Sequence, residues 1–542
     1  MDNVSVDEET SLSCLMWADD ILILSESEAG LQRKLNALGK YCDKNKLSVN
    51  TKKTQCMIFN KTGRLLKNHT FMYKNAPLEC VREYKYLGFV VTPSGEVRTG
   101  LEDLRRRGIR ALAKMKSSLG ILFRHNVDNT IHLYNYLVKP VLTYCSDFWG
   151  CLQPKKNPIE KVHLMFCKHL LGVRKQTHTD GVLQELGMTP ITICATKAAV
   201  KNWERIQGEK ANALLIASNR NAMKNHLPWT MNIRLTFTTN GMLQEYLQKV
   251  SETEDARYKS AAETIYKRLI DQFHQISFGT ISTSSKMKTL NMLKESKGRE
   301  TYLSEVTNSK HRSAMTKLRL SAHRLEIETS RYKNKKNKKK GDKVEVEEHI
   351  PEVTQKERLC TYCKFMGNEA VEDEVHFLVC CPMYKEIREK LLPTLILQDN
   401  VTDDAEKFRQ IMSDGDLKTT AKFISQSFDE RDIRLDVFNT LNDLVSSTEN
   451  LLTKNLDSRE TQPKLSKKNG VEKAPLEFGS YRIKNFDLDG GKLILSHKEN
   501  SCKDGNKNKN KNNYLSCKKE CNKRYRVTKL SKVGLKMTLT KL

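Results

Sequence analysis

Proline is scarce in this chain, 12 among 542 residues, so a proline-rich spacer does not account for its length. No apolar run reaches the roughly 18 residues of a membrane-spanning helix. The opening stretch, MDNVSVDEETS, is acidic and polar where a secretory leader would be basic and then apolar. These absences argue against a helical membrane anchor and a cleaved leader, and the expected location is intracellular, in the nucleus, the cytoplasm or both. No segment recurs at a fixed period, which excludes a solenoid. Hydrophobic residues are also in short supply, at 38% with a mean hydropathy of -0.59, so part of the length is expected to form no core. Acidic side chains are outnumbered, 65 against 93 Lys and Arg, which leaves a net charge of +28. That excess suits a polyanionic partner, with RNA and DNA first and no membrane. The 15 cysteines are scattered in the first half and then bunched at 360–381. In a reducing compartment this predicts thiols and a metal site rather than disulfides.

Along the chain, the apolar run LMWADDILIL (15–24) holds two adjacent carboxylates, Asp19 and Asp20. An ionised carboxylate enclosed by Leu, Ile, Met and Trp loses hydration and must pair, bind a metal or take up a proton. The alternative is an ordinary hairpin whose carboxylates face water. Leu31, Leu35, Leu38 and Tyr41 follow at helical spacing, and LSVN and CMIF read as short strands around the basic turn TKKT. Tyr84, Tyr86, Leu87, Phe89 and Val90 form a further extended stretch around Gly88, the pattern of a tight hairpin. Residues 1–92 therefore read as mixed α+β.

Thr99 and Glu102 have capping-box spacing, and Leu101, Leu104, Leu112, Met115 and Leu119 then line one helical face. Arg105, Arg106, Arg107, Arg110 and Lys114 lie mostly elsewhere on that helix. Apolar spacing stays helical over 93–235, and 236–350 carries a sparser helical pattern ending in the basic run RYKNKKNKKKGDK, read as an exposed linker. A cysteine-rich segment occupies 351–395 and a helical segment 396–450. The Lys- and Asn-rich residues 451–542, with about half of the net positive charge, read as a disordered tail.

Taken in order, MWADDILILSES, GLQRKLNALGKYCDKNKLSVNTKKTQCMIF and YKYLGFVV resemble the back half of the palm of a non-LTR retrotransposon (LINE-type) reverse transcriptase. The likeness continues through LVKPVLTYCSDFWG and KLRLSAHRLEIETSRY to the cysteine cluster, and so runs over most of residues 12–392. The ADD hairpin matches the polymerase motif usually written (F/Y)ADD, with Trp17 in place of the usual aromatic. Asn50 and Lys53 match the lysine motif, and Tyr86, Leu87 and Gly88 match the primer-grip turn. The resemblance implies an RNA-directed DNA polymerase in which paired Mg²⁺ ions activate the primer hydroxyl and neutralise the triphosphate, because hard cations want carboxylate oxygens. Asp19 would be the firmer Mg²⁺ ligand, Asp20 a weaker one, and Lys53 would lie near the leaving pyrophosphate. On the same resemblance 1–92 is a partial palm, 93–235 a helical thumb, 236–350 a helical connector and 351–395 a zinc knuckle.

A complete palm also takes a third metal-binding Asp and a nucleotide-binding loop from residues ahead of the ADD hairpin. Only 18 residues precede Asp19 here, and Asp2 and Asp7 lie in polar sequence without strand alternation. The expectation is a truncated enzyme, catalytically incompetent alone but binding RNA and DNA through backbone contacts of Arg105, Arg106, Arg107 and Arg110. The alternatives are a non-catalytic zinc-knuckle nucleic-acid-binding protein and a non-functional gene fragment.

The second constellation is Cys360, Cys363, His376 and Cys381, spaced C-x2-C-x12-H-x4-C. Three thiolates and an imidazole satisfy a tetrahedral Zn²⁺ closed to water. Cys380 is a rival fourth ligand. The family pattern resembled here puts its last Cys immediately before a Pro, which implies Cys381. Cys517 and Cys521, in the Lys-rich tail without a nearby His, are assigned no metal.

Overall fold

A computed structural model of the chain describes residues 2–65, 69–208, 211–250, 260–331, 354–392, 403–413 and 415–457, together with strands within 477–541. The architecture is α+β, mostly helical, with small sheets of two or three strands. It divides into residues 1–427 and 428–542.

In the first unit the helix Glu28–Lys44 starts where Ser27 accepts a hydrogen bond from the Gly30 amide, a standard N-cap. It packs on a three-stranded sheet of Gln55–Cys56, Ala76–Cys80 and Phe71–Tyr73, with the longest strand central and its first neighbour parallel. Leu35, Cys56, Phe71, Tyr73 and Leu78 form the core between them, and Ile23, Leu31 and Leu38 pack at its edge. Two sequence expectations change here. Tyr41 is 59% exposed, since the buried stripe runs through Leu35, Gly39 and Cys42 at i, i+4, i+7. Only Gln55–Cys56 is a strand around TKKT, and LSVN has no regular structure, because Asn50 gathers the turn by accepting from the amides of Lys53 and Thr54.

The helix Arg98–Leu119 buries Leu101, Leu104, Leu112 and Met115 as expected. It begins two residues early, however, with Val97 at its cap and no side-chain cap, so Thr99 and Glu102 form no capping box. Gly108 lets the helix Lys139–Leu142 approach: a Cβ there would run into the Leu142 side chain. The helix Pro158–Leu171 is capped by Asn157 and ends at Gly172, whose φ of 68° supplies the left-handed stop. Its Phe166 stacks on Tyr134 with centroids 3.9 Å apart.

The expected boundary at 235 falls inside one core. Trp203 of the helix Ile191–Ile206, Phe237, Tyr246 and Ile265 of the helix Ala261–Thr283 all share it. The basic linker RYKNKKNKKKGDK lies, after Arg331, outside the described residues.

The second unit holds the remainder of the helix Leu417–Asp457, an antiparallel meander of Glu477–Phe478, Tyr481–Asp487 and Lys492–His497, and a hairpin of Tyr525–Leu530 with Met537–Lys541. The expectation of a tail without regular structure is corrected to that extent. Short β-branched and apolar runs, KLILSH, YRVTKL and MTLTK, interrupt the Lys and Asn tracts and have strand propensity of their own. Cys517 and Cys521 lie outside the described residues.

Candidate metal centres and nucleic-acid interface

Strands Cys14–Trp17 and Asp20–Ile23 pair antiparallel in the register Trp17↔Asp20, Met16↔Ile21, Leu15↔Leu22, Cys14↔Ile23. This leaves a two-residue turn of Ala18 and Asp19, and Ala18 takes a φ of 52°, as a tight hairpin turn demands. Asp19 and Asp20 sit exposed at that tip. They are not enclosed as the apolar run suggested. Neighbours in sequence alternate between faces, and at the tip both faces are bare: Met16 is 72%, Trp17 67% and Ile21 48% exposed. Among the described residues no third carboxylate, Cys or His joins the pair as a metal-binding group. The two acidic residues upstream serve elsewhere. Asp2 accepts from Ser27 and Arg33, and Asp7 accepts from the amides of Glu9 and Thr10 in its own turn. Lys53 is exposed on the TKKT turn.

Leu87 and Gly88 form the turn of a second hairpin, Tyr84–Tyr86 with Phe89–Val91, and Tyr86 ends its first strand. Leu87 and Gly88 both have positive φ, 44° and 84°, which defines a tight two-residue turn and explains the glycine. The turn is held from outside. Tyr144 Oη donates to the Leu87 carbonyl at 2.5 Å, and Arg107 Nη2 donates to the Gly88 carbonyl at 2.9 Å. Arg107 also lies 5.6 Å from the Tyr144 ring centroid and 3.1 Å from Asp103.

The four arginines expected to contact phosphates differ in what they already hold. Arg105 pairs with Glu102 at 2.5 Å, and Arg107 is occupied by the turn and Asp103. Arg106, with a looser 3.7 Å contact to Asp103, and Arg110 present exposed charge. The acids Glu102 and Asp103, three and four residues ahead, are the sequence signal that could have separated them.

The cysteine cluster does assemble. Cys360 precedes the short helix Thr361–Phe365, which carries Cys363 and closes at Gly367. His376 opens a π-helical turn, His376–Cys380, and Cys381 follows it, its amide donating to the His376 carbonyl at 2.7 Å. Sγ atoms of Cys360 and Cys381 are 3.9 Å apart, those of Cys363 and Cys381 4.0 Å, and Cys363 Sγ lies 3.4 Å from His376 Nε2. All ligand atoms lie within 4.8 Å of one another. A tetrahedral site with Zn–S near 2.3 Å and Zn–N near 2.0 Å sets about 3.8 Å between sulfurs and about 3.5 Å from sulfur to nitrogen, so the donors fit zinc. Cys380 points away: it is exposed, and its sulfur lies 3.2 Å from Asp404 Oδ2. As free thiols the set shares protons. A hydrogen bond from Cys381, with help from His376, holds the Cys360 thiol down at about 4, while burial beside that thiolate pushes Cys363 up to about 11.

Residues that the sequence reading missed support this cluster. Asp373 Oδ1 accepts from the His376 amide at 2.8 Å. Glu374 accepts from Ser321 at 2.8 Å and lies 2.9 Å from His323 Nε2, and Glu372 accepts from the Glu326 amide at 2.6 Å. The EDE run beside His376 was its only signal, and its partners lie some fifty residues away.

Residues 1–91, which hold both hairpins, match the family model of reverse transcriptase (RNA-dependent DNA polymerase). Over that segment the chain is similar to reverse transcriptases, those of non-LTR retrotransposons among them. It is 24% identical over 216 residues to the RNA-directed DNA polymerase from mobile element jockey of Drosophila funebris, a match that covers 38% of this chain and 23% of that protein. A transposon-derived protein of Caenorhabditis elegans is 24% identical over 168 residues, covering 30% of this chain and 58% of that one. The chain thus matches less than two thirds of the length of either relative.

Proposed function

We propose that residues 1–542 are a retrotransposon reverse transcriptase portion that binds RNA and DNA but does not by itself transfer nucleotides. The observation that carries the reading is the Asp19–Asp20 tip, which has the family's motif and hairpin but no third acidic group beside it among the described residues. Asp19 and Asp20 would hold Mg²⁺, whose chemistry in such enzymes is to activate the primer hydroxyl and neutralise the triphosphate. Mg²⁺ dehydrates reluctantly, so two water-exposed carboxylates compete poorly with its hydration. Lys53 would stand near the departing pyrophosphate. Arg106, Arg110 and the Lys-rich tail would supply sequence-independent contacts to phosphates. Cys360, Cys363, His376 and Cys381 would hold Zn²⁺ in a structural role, since all four positions are filled by protein atoms.

The test is primer extension on an RNA template by purified residues 1–542 with Mg²⁺ or Mn²⁺, beside an Asp19→Ala control. No extension, restored by adding a palm and fingers segment from a complete relative, supports the proposal. Extension that disappears in the control overturns it. A second reading, a non-catalytic nucleic-acid-binding protein, is favoured by the same exposed tip; under it the added segment restores nothing while binding persists.

A further inference from the structure

Arg388 is a buried cation in the helix Lys385–Leu391, and its hydrogen bonds go to backbone rather than to a carboxylate. Nε donates to the Leu378 carbonyl at 2.9 Å and Nη2 to the Cys381 carbonyl at 3.1 Å. Those two carbonyls belong to the turn that carries His376 and Cys381, so one planar fork spans the second half of the ligand set. Among the described residues Arg388 makes no ion pair, and the neighbouring Glu389 is half-exposed, 3.8 Å from Lys385. A buried guanidinium is costly unless an opposite charge stands near it.

We propose that Arg388 positions the Cys3His centre and balances its charge. This rests on the zinc reading above. Three thiolates and a neutral imidazole around Zn²⁺ carry one net negative charge, and the guanidinium is the buried positive charge fixed against that turn. The fork does two jobs. It holds the carbonyl of Cys381 so that its sulfur meets those of Cys360 and Cys363, and it offsets the anionic centre where water cannot. Neither job needs Arg388 to touch the metal.

The experiment uses the full chain, with zinc content first and then zinc affinity by competition with a chromogenic chelator, for wild type, Arg388→Gln and Arg388→Lys. Outer partners of metal ligands are worth roughly 10- to 100-fold in affinity. Arg388→Gln is expected to bind zinc 10- to 100-fold more weakly, and Arg388→Lys, which keeps the charge without the fork, to recover part of that loss. Substituting cobalt should show the same tetrahedral absorption in both variants, which a general loss of fold would not preserve. Unchanged affinity in Arg388→Gln, or Lys no better than Gln, overturns the charge-balancing role. If wild type itself takes up no stoichiometric zinc, the zinc reading fails instead, so the two failures are distinct. Should Arg388→Gln not fold, the comparison of Arg388→Lys with wild type decides: affinity lowered severalfold supports the proposal, and equal affinity refutes it.

Discussion

Glu185→Gln should unfold this protein more readily than any surface charge change. Glu185 is fully buried on the helix Thr179–Leu186, and Arg319, at the end of the helix Ser309–Arg319, is 2% exposed. Arg319 Nε donates to Glu185 Oε1 at 2.5 Å and its Nη2 donates to Glu300 at 2.5 Å. Lys294 pairs with Glu300 at 2.6 Å, and Tyr302 donates to Glu185 at 2.6 Å. Arg319 and Lys294 thus balance Glu185 and Glu300, and the cluster is neutral. Replacing Glu185 by Gln leaves one uncompensated buried positive charge and turns an amide donor toward a guanidinium donor. Breaking a buried pair on one side costs about 3–5 kcal/mol, against about 5–15 kcal/mol for the whole stability of a typical domain. The assay is urea unfolding followed by far-ultraviolet circular dichroism. The double change Glu185→Gln with Arg319→Met removes both charges and should recover most of the loss, because the pair's net worth is far below the cost of orphaning one member. A loss under about 1 kcal/mol in the single variant, or a double variant that falls by the sum of both singles, would refute the reasoning.

Four other outcomes are expected. Cys381→Ser should abolish stoichiometric zinc in elemental analysis while Cys380→Ser leaves it intact, and equal losses would place the fourth ligand wrongly. Nucleic-acid affinity should fall steeply with salt, and Arg106→Gln with Arg110→Gln should lower the slope of log affinity against log salt by about one per phosphate contact removed. Arg107→Gln should instead loosen the Leu87–Gly88 turn and reduce stability with little change in slope. Burial pushes the Glu160 carboxyl up to about 7 from its usual 4.5. A pKa raised on folding means the folded chain holds the proton more tightly, so this stability is present below about 4.5 and is lost as pH rises through about 7. Glu160→Gln should flatten that decline in denaturation midpoints measured from pH 5 to 8.

What the sequence made legible was local. The ADD hairpin, the Tyr86–Gly88 turn, the stripe of the helix Arg98–Leu119 and the knuckle's spacing each fit within some twenty residues, where turn chemistry and period decide the geometry. The surroundings of Asp19 and Asp20 were not legible, because an apolar run says which residues are greasy and not whether anything covers them. Nor was the burial of Arg312, Arg319 and His323. Their segment carries only a sparse helical pattern, and the groups that neutralise or accept from them, at 124, 185, 300 and 374, lie in other elements. The hold of Arg107 on the second hairpin was not legible either: its turn partner, Gly88, lies on the other side of a helix start, where no periodic pattern links them.

The clasp formed by Arg107 and Tyr144 on the Leu87–Gly88 turn has an evolutionary consequence. A Cβ on Gly88 would lie 3.1 Å from Tyr144 Oη, so a larger residue at 88 displaces the ring that both accepts the arginine's face and supplies the hydroxyl to Leu87. Leu87, Gly88, Arg107 and Tyr144 therefore form one heritable unit whose ends lie 57 residues apart in sequence. Relatives should change them together or not at all, and a lineage that drifts at position 88 should show its first compensating change at 144.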